Sequence, residues 1–182
     1  MPAPKEVLMS TPRSTFESFD ARLTRWTARH AITLLRVSIG VIFLWFGVLK
    51  FFPGLSPAQD LAARTIYALS FGLVPPPVSV PLLAALETTI GLGLLTGRFL
   101  RATLLLLLLQ MAGTVTPLVL FPSETFTVIP IAPTLEGQYI IKNIVLVSAA
   151  ILIGATVRGG MLIADPDAAR VARAREQDRA IG

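Results

Sequence analysis

The sequence predicts an all-α integral membrane protein: a four-helix bundle with an N-terminal amphipathic interfacial helix and a short C-terminal surface helix. Of the 182 residues, 53% are hydrophobic and only 15% are charged, and the mean hydropathy is +0.70. This composition is too apolar for an ordinary soluble domain. The apolar residues are concentrated in four stretches of about 20 residues, the length that a helix needs to cross a hydrocarbon core.

The four predicted spans form the central domain, residues 31–157. They run over about 31–52, 78–97, 100–121 and 139–157. Residues 97–99 are so short a link that the second and third spans must pack antiparallel, as a helical hairpin. Residues 55–78 have a weak helical pattern, which indicates an outer lid or a shallow interfacial helix.

The two flanking segments are predicted to lie outside the hydrocarbon core. In the arm, residues 1–30, Phe19, Leu23 and Trp26 recur at helical spacing. This pattern favours an amphipathic helix on the inner membrane surface, and docking on a soluble partner is the alternative. Residues 158–182 form a basic tail that contains a short surface helix.

The distribution of arginine and lysine predicts the orientation. The arm, the tail and the turn with Arg98 and Arg101 are basic, whereas the two longer loops contain more carboxylates than cations. Because positively charged loops stay in the cytoplasm, we expect a multi-pass protein of a bacterial-type cytoplasmic (inner) membrane with both termini cytoplasmic. A net charge of +5 with this distribution suits membrane lipids as partners, and not nucleic acid.

Several polar side chains fall inside the predicted spans, where each is costly unless it is paired or hydrated. They define a candidate intramembrane polar site of Arg36, Glu87, Gln110, Lys142 and Asn143. Helical spacing gives each span one polar face, and we expect these faces to turn inward with Glu87 between Arg36 and Lys142. The structural alternative is that Glu87 pairs with a cation only to set helix register. In that alternative Gln110 and Asn143 make interhelical hydrogen bonds.

Trp45, Lys50 and Tyr139 are the residues expected to line a cleft beside this site. Trp45 could instead pack in the core, and Lys50 could extend to the outer membrane surface. The chain has no cysteine and one histidine, His30, which excludes thiolate sites and a bis-imidazole haem site. One central carboxylate among cations is also a poor metal site, so we expect no metal ligand.

Three segments of the spans carry a family resemblance. They are residues 35–51 (LRVSIGVIFLWFGVLKF), 87–97 (ETTIGLGLLTG) and 136–143 (EGQYIIKN). Together they resemble the DoxX-like membrane family, including its YkgB-like relatives of unknown function, over residues 31–157. The resemblance implies a four-helix membrane bundle. It also implies an association with redox systems, since relatives include a membrane part of a thiosulfate:quinone oxidoreductase and components linked to oxidative-stress defence.

Three functions stay open. The first is an accessory or anchoring subunit of a membrane redox complex or oxidative-stress system, partnered with other redox subunits and offering a cleft for a quinone or a bound lipid near Glu87, Trp45 and Lys142. The second is a small transporter or channel along Arg36, Glu87 and Lys142, which predicts a homo-oligomer because one four-span unit has little room for alternating access. An enzyme using Glu87 as proton donor or acceptor is the third. No nucleophile–base pair is visible, so we expect no independent catalytic activity.

Overall fold

The computed structural model describes residues 15–52, 54–56 and 59–181. Residues 1–14 of the predicted arm lie outside the described residues. The described part is mostly helical and contains helices long and apolar enough to cross a membrane, which confirms the predicted all-α class. These candidate spans are Ser18–Leu49, Pro76–Thr96, Leu100–Leu120 and Leu135–Thr156.

The described elements are helices α1 to α9 and one β-hairpin. The helices are α1 Thr15–Leu49, α2 Gln59–Leu69, α3 Pro76–Thr96, α4 Leu100–Val115, α5 Pro117–Leu120, α6 Pro122–Thr125, α7 Leu135–Lys142, α8 Ile144–Thr156 and α9 Pro166–Ile181. The strands are β1 Phe126–Val128 and β2 Ala132–Pro133. They pair antiparallel, with Phe126 opposite Pro133 and Val128 opposite Ala132.

The chain forms two compact units, of which one is Met1–Ala31 with Met161–Gly182 and the other is Ile32–Gly160. In the first unit, the apolar residues of the predicted amphipathic arm, Phe19, Leu23 and Trp26, are all exposed. Helix α9 of the same unit begins after Asp165, whose carboxylate accepts backbone hydrogen bonds at its N-terminus. Such a side chain satisfies N–H groups that have no partner within the helix.

Helix α1 contains both the arm segment and the first span without interruption. The predicted boundary between them, at residue 31, is therefore not a helix break in the structure. The physical reason is that residues 15–39 contain no glycine or proline, the residues that most often end or kink a helix. The Thr27 hydroxyl donates back to the Leu23 carbonyl along the helix, so its polar group is also satisfied there.

The core of the second unit lies between α1, α3, α4 and α8. Its buried residues are Ile39, Phe43, Ile90, Leu94, Leu104, Leu107, Met111, Ala149, Ala150 and Ile153. Glycine lets α1 and α3 approach closely, because a Cβ on Gly91 would lie only 2.5 Å from the Leu44 backbone nitrogen. The opposite faces carry exposed apolar side chains, among them Val41, Trp45, Leu105, Leu109 and Ile151. An extensive exposed apolar surface of this kind is typical of lipid contact.

The α3–α4 turn makes the predicted antiparallel hairpin. Gly97, with φ 68°, and Phe99, with φ 52°, adopt left-handed conformations that reverse the chain within three residues. The Gly97 N–H donates to the Gly93 carbonyl and so closes the end of α3. We call this end of the second unit the turn end, and the opposite end, which carries α2, the α2 end.

Two spans are interrupted near their α2 ends. The third breaks at Thr116, because Pro117 has no N–H to continue the ladder of α4. The fourth begins at Leu135, before the predicted Tyr139, since the Thr134 hydroxyl accepts a hydrogen bond from the Gly137 N–H as an N-cap. This fourth span is interrupted at Asn143, between α7 and α8.

An ion pair joins α2 to α6 at the α2 end. Arg64 Nη1 and Nη2 lie 2.8 Å and 2.5 Å from the two carboxylate oxygens of Glu124. The Arg64 guanidinium also lies 5.2 Å from the centroid of the Phe121 ring. The hydrogen bond from Arg64 is the main cause of a lowered Glu124 pKa, and the same hydrogen bond raises the Arg64 pKa.

We expect this pair to make the attachment of α2 dependent on pH. Because the Glu124 pKa is lowered in the folded state, its stabilisation is complete above the ordinary Glu pKa of about 4.3 and is lost as the pH falls through the lowered value. Amide hydrogen exchange in α2, corrected for intrinsic rates, should therefore rise a few-fold on acidification. Glu124→Gln should show the faster exchange already at neutral pH. If the exposed Glu136→Gln control changes α2 exchange equally, the ion pair is not the cause.

Candidate functional site

A polar cluster of Lys50, Glu87 and Gln110 lies where the end of α1 meets α3 and α4. Lys50 Nζ is 2.7 Å from Glu87 Oε2, and each of these two side chains is only 12% exposed. Gln110 Nε2 donates to the other Glu87 oxygen at 2.8 Å. Both carboxylate oxygens therefore have a donor, as a charge withdrawn from water requires.

The cluster depends on the close approach of α1 to α3 at Gly47. A Cβ at this position would lie 2.7 Å from the Thr88 nitrogen and 2.9 Å from the Glu87 Cβ. Lys50 follows Gly47 by three positions, so the two residues share one face of the helix end. Because residue 47 has no side chain, the Lys50 amine can reach the Glu87 carboxylate.

Three cavities surround this cluster. One of about 690 Å³ at the α2 end is lined by Lys50, Asp60 and other residues of α2 and the start of α3. A second, of about 370 Å³, has largely apolar walls from α2, α3, α4 and α7, and its lining includes Gln110. A third, of about 140 Å³, is lined by Glu87, Gln110 and Asn143 among apolar side chains.

Gln110 has an acceptor atom without a partner. Its Oε1 is buried and accepts no hydrogen bond from the residues that the structure describes. The same side chain faces two of the cavities. An unsatisfied buried carbonyl is costly, so a ligand or water with an O–H or N–H group would be stabilised at this position.

Arg36 and Lys142 do not join Glu87, so the predicted arrangement with Glu87 between them is not found. Arg36 Nη1 donates to the carbonyl oxygens of Leu94 and Leu95 at the turn end. Lys142 is exposed, and its Nζ lies 5.6 Å from the centroid of the Tyr139 ring. The oxygens of Glu87 are occupied by Lys50 and Gln110 instead.

The other predicted residues divide between the site and the outer surface. Asn143 lines the small cavity together with Glu87 and Gln110. Trp45 and Tyr139 are 66% and 60% exposed and line none of the three cavities. Trp45 is two positions from the buried Phe43, which on a helix places it on another face.

Sequence reasoning underestimated Lys50. The sequence predicts this residue in the lining of a cleft, with extension to the membrane surface as the alternative, and it predicts Glu87 between Arg36 and Lys142. A signal was present in the spacing of Gly40 and Gly47, which marks the face of α1 that packs against α3. Lys50 continues that face, close to the level of Glu87.

Within the described ranges, no group of three His, Cys, Asp or Glu residues could hold a metal ion.

Comparison with known proteins identifies the family. The model of the family described as DoxX matches residues 31–121, half of the chain. The match includes Arg36, Lys50, Glu87 and Gln110 and ends before the fourth span. No curated protein and no solved structure gives a significant match. The chain thus belongs to the DoxX family, as a membrane protein whose described residues include four helices long and apolar enough to span the bilayer.

Proposed function

We propose that the protein is an accessory membrane subunit that binds a quinone or a lipid beside Gln110 and supports a membrane redox complex. The observation that carries the proposal is the buried, unpartnered Oε1 of Gln110 at an apolar cavity of about 370 Å³. Apolar walls with a few polar groups are typical of small-molecule sites. The apolar volume suits an isoprenoid or acyl tail, and the amide suits a polar head.

The polar groups of this cavity and of the small cavity beside it favour a quinone that changes between its oxidised and reduced forms. A quinol hydroxyl can donate to Gln110 Oε1, and a quinone carbonyl can accept from the amide of Asn143. Asn143 lines the adjoining cavity with Gln110 and Glu87. Lys50 and Glu87 hold the Gln110 amide in one orientation, because Gln110 Nε2 donates to the carboxylate. Their proposed role is therefore to position the ligand-binding amide.

The accessory role, rather than independent catalysis, is supported by the same contacts and by the family resemblance. Lys50 and Gln110 donate hydrogen bonds to the two oxygens of Glu87, so the carboxylate has a structural role in joining these side chains. The redox association implied by the resemblance then assigns electron transfer to a partner subunit. The transporter hypothesis would require a polar path through Arg36, Glu87 and Lys142, and these three residues have separate partners.

We also propose that the turn end faces the cytoplasm of a bacterial-type inner membrane, with both termini cytoplasmic. Arg98, Arg101 and Arg158 lie near the span ends at the turn end, while the α2 end carries Asp60 and Glu124. Positive loops are retained in the cytoplasm during insertion. An even number of spans then places both termini on one side.

We expect the protein purified from native membranes in mild detergent to contain quinone at a stoichiometric level and a reproducible oxidoreductase partner. Mass spectrometry of co-purifying proteins and of the organic extract measures both. Gln110→Leu should lower the amount of bound quinone about tenfold. It removes a hydrogen bond to the ligand and leaves the polar group of the ligand without a partner. Gln138→Leu, at an exposed glutamine of α7, is the matched control and should retain the quinone.

A homo-oligomer with neither quinone nor partner would overturn the proposal. Flux measurements in liposomes would then test the transporter hypothesis, in which Glu87→Gln should alter flux. Equal quinone loss in the two glutamine variants would show that the cavity beside Gln110 is not the binding site.

A further inference from the structure

A further cavity, with a different chemistry, lies at the turn end. It has a volume of about 620 Å³, and its lining includes two arginines, Arg36 and Arg101. The walls are otherwise mainly apolar and come from α1, α4, the end of α8 and the α3–α4 turn. They consist of Ile32, Phe99, Leu100, Ala102, Ile153 and Val157, with Gly97 and Thr156.

Arg36 is held in this cavity by the end of α3. Its Nη1 donates to the carbonyls of Leu94 and Leu95, which have no N–H partner at a helix C-terminus. A Cβ on Gly97 would lie 2.8 Å from Nη1, so the glycine leaves the space that the guanidinium occupies. The hydrogen bonds that Arg36 makes within the described part of the chain use Nη1 alone. The N–H groups on Nε and Nη2 are thus available to a ligand.

Among the described residues, no carboxylate forms an ion pair with the arginines of this cavity. The ion pairs between described residues involve Lys50, Arg64 and Arg170, and none of them includes Arg36 or Arg101. The helix carbonyls offset part of the Arg36 charge through the negative end of the helix dipole. Two arginines beside apolar walls at the end of a span still favour an anion.

We propose that this cavity binds the phosphate group of an anionic phospholipid. Arg101 and the free donors of Arg36 contact the phosphate oxygens, since guanidinium groups bind phosphate with paired hydrogen bonds. Ile32, Ile153 and Val157 contact the acyl chains. Basic pockets between membrane helices bind anionic headgroups in this way. Inorganic phosphate shares the headgroup chemistry, but it lacks the chains that the apolar walls would contact.

The test is native mass spectrometry of the full chain in detergent, titrated with phosphatidylglycerol or phosphatidylcholine. We expect tighter binding of phosphatidylglycerol, and a loss of affinity of about fivefold in Arg101→Gln. Arg98→Gln removes an exposed arginine of the same turn that does not line the cavity, and it should leave the affinity unchanged. A large excess of inorganic phosphate should not displace the lipid.

Three results would overturn this proposal. Equal affinity for the two lipids would remove the anionic selectivity, and equal losses in the two arginine variants would indicate surface charge alone. Displacement by inorganic phosphate would identify free phosphate as the ligand. The quinone content of Arg101→Gln should match that of the unmodified protein, because the quinone cavity is lined by other residues.

Discussion

Glu87→Ala should destabilise the second unit by roughly 3 kcal/mol, because it leaves a buried cation without its counter-charge. Lys50 Nζ is 2.7 Å from Glu87 Oε2, and each of the two side chains is only 12% exposed. Gln110 Nε2 would lose its acceptor as well. The free energy of unfolding in mixed micelles, measured by denaturant titration or steric trapping, gives the loss.

A double variant separates the contribution of the charge pair to stability from the contribution of side-chain packing. Lys50→Met with Glu87→Met removes both charges while it keeps side chains of similar length, and we expect it to lie within about 1 kcal/mol of the unmodified protein. Glu136→Ala, at an exposed carboxylate, should have little effect. If the double variant were as unstable as Glu87→Met alone, the two charges would not be coupled. If it were stable but without quinone, the pair would serve the ligand site.

Gly47→Ala should destabilise the same unit by about 2 kcal/mol, in the range typical of overpacked cores. The added methyl would lie 2.7 Å from the Thr88 nitrogen and 2.9 Å from the Glu87 Cβ, so α1 and α3 must separate. Gly113→Ala, at a helical glycine with no neighbour within 4 Å of an added Cβ, is the matched control. It should be neutral or slightly stabilising because alanine favours helix.

Combining Gly47→Ala with Glu87→Ala tests whether the two effects share one contact. If the alanine at position 47 separates Lys50 from Glu87, the second substitution should cost less in that background than it does alone. The same unfolding measurement on the four proteins gives the coupling energy. Strictly additive losses would show that Gly47 acts on helix packing without setting the ion pair.

The spans and the α3–α4 hairpin could be predicted because each depends on local properties of the chain. An apolar stretch of about 20 residues is sufficient to indicate a span, and residues 97–99 are too few to connect helices that are not neighbours. The weak helical pattern of residues 55–78 left a lid and a shallow interfacial helix as alternatives, and the structure has helix α2 in this segment. The continuous α1 was missed because the change from arginine-rich to apolar residues alters the environment of a helix without breaking it.

The pairing of polar residues could not be predicted in the same way. Arg36 lies on α1 and Lys50 directly follows its last residue, and helical spacing places both on the face that carries Gly40 and Gly47. The position of each cation along the helix axis relative to α3 decides between them, and it depends on how Gly47 and Gly91 fit against Thr88 and Leu44.

By itself the sequence therefore determined the class of this protein, its spans and the presence of polar groups within them, because hydropathy and helical period act along the chain. Only the tertiary structure decided that Lys50 and Gln110 complete the Glu87 cluster. It also decided that Arg36 and Arg101 share a cavity at the other end. These contacts depend on helix rotation and on interhelical distances, which differ by a few ångströms between arrangements that bury similar apolar area.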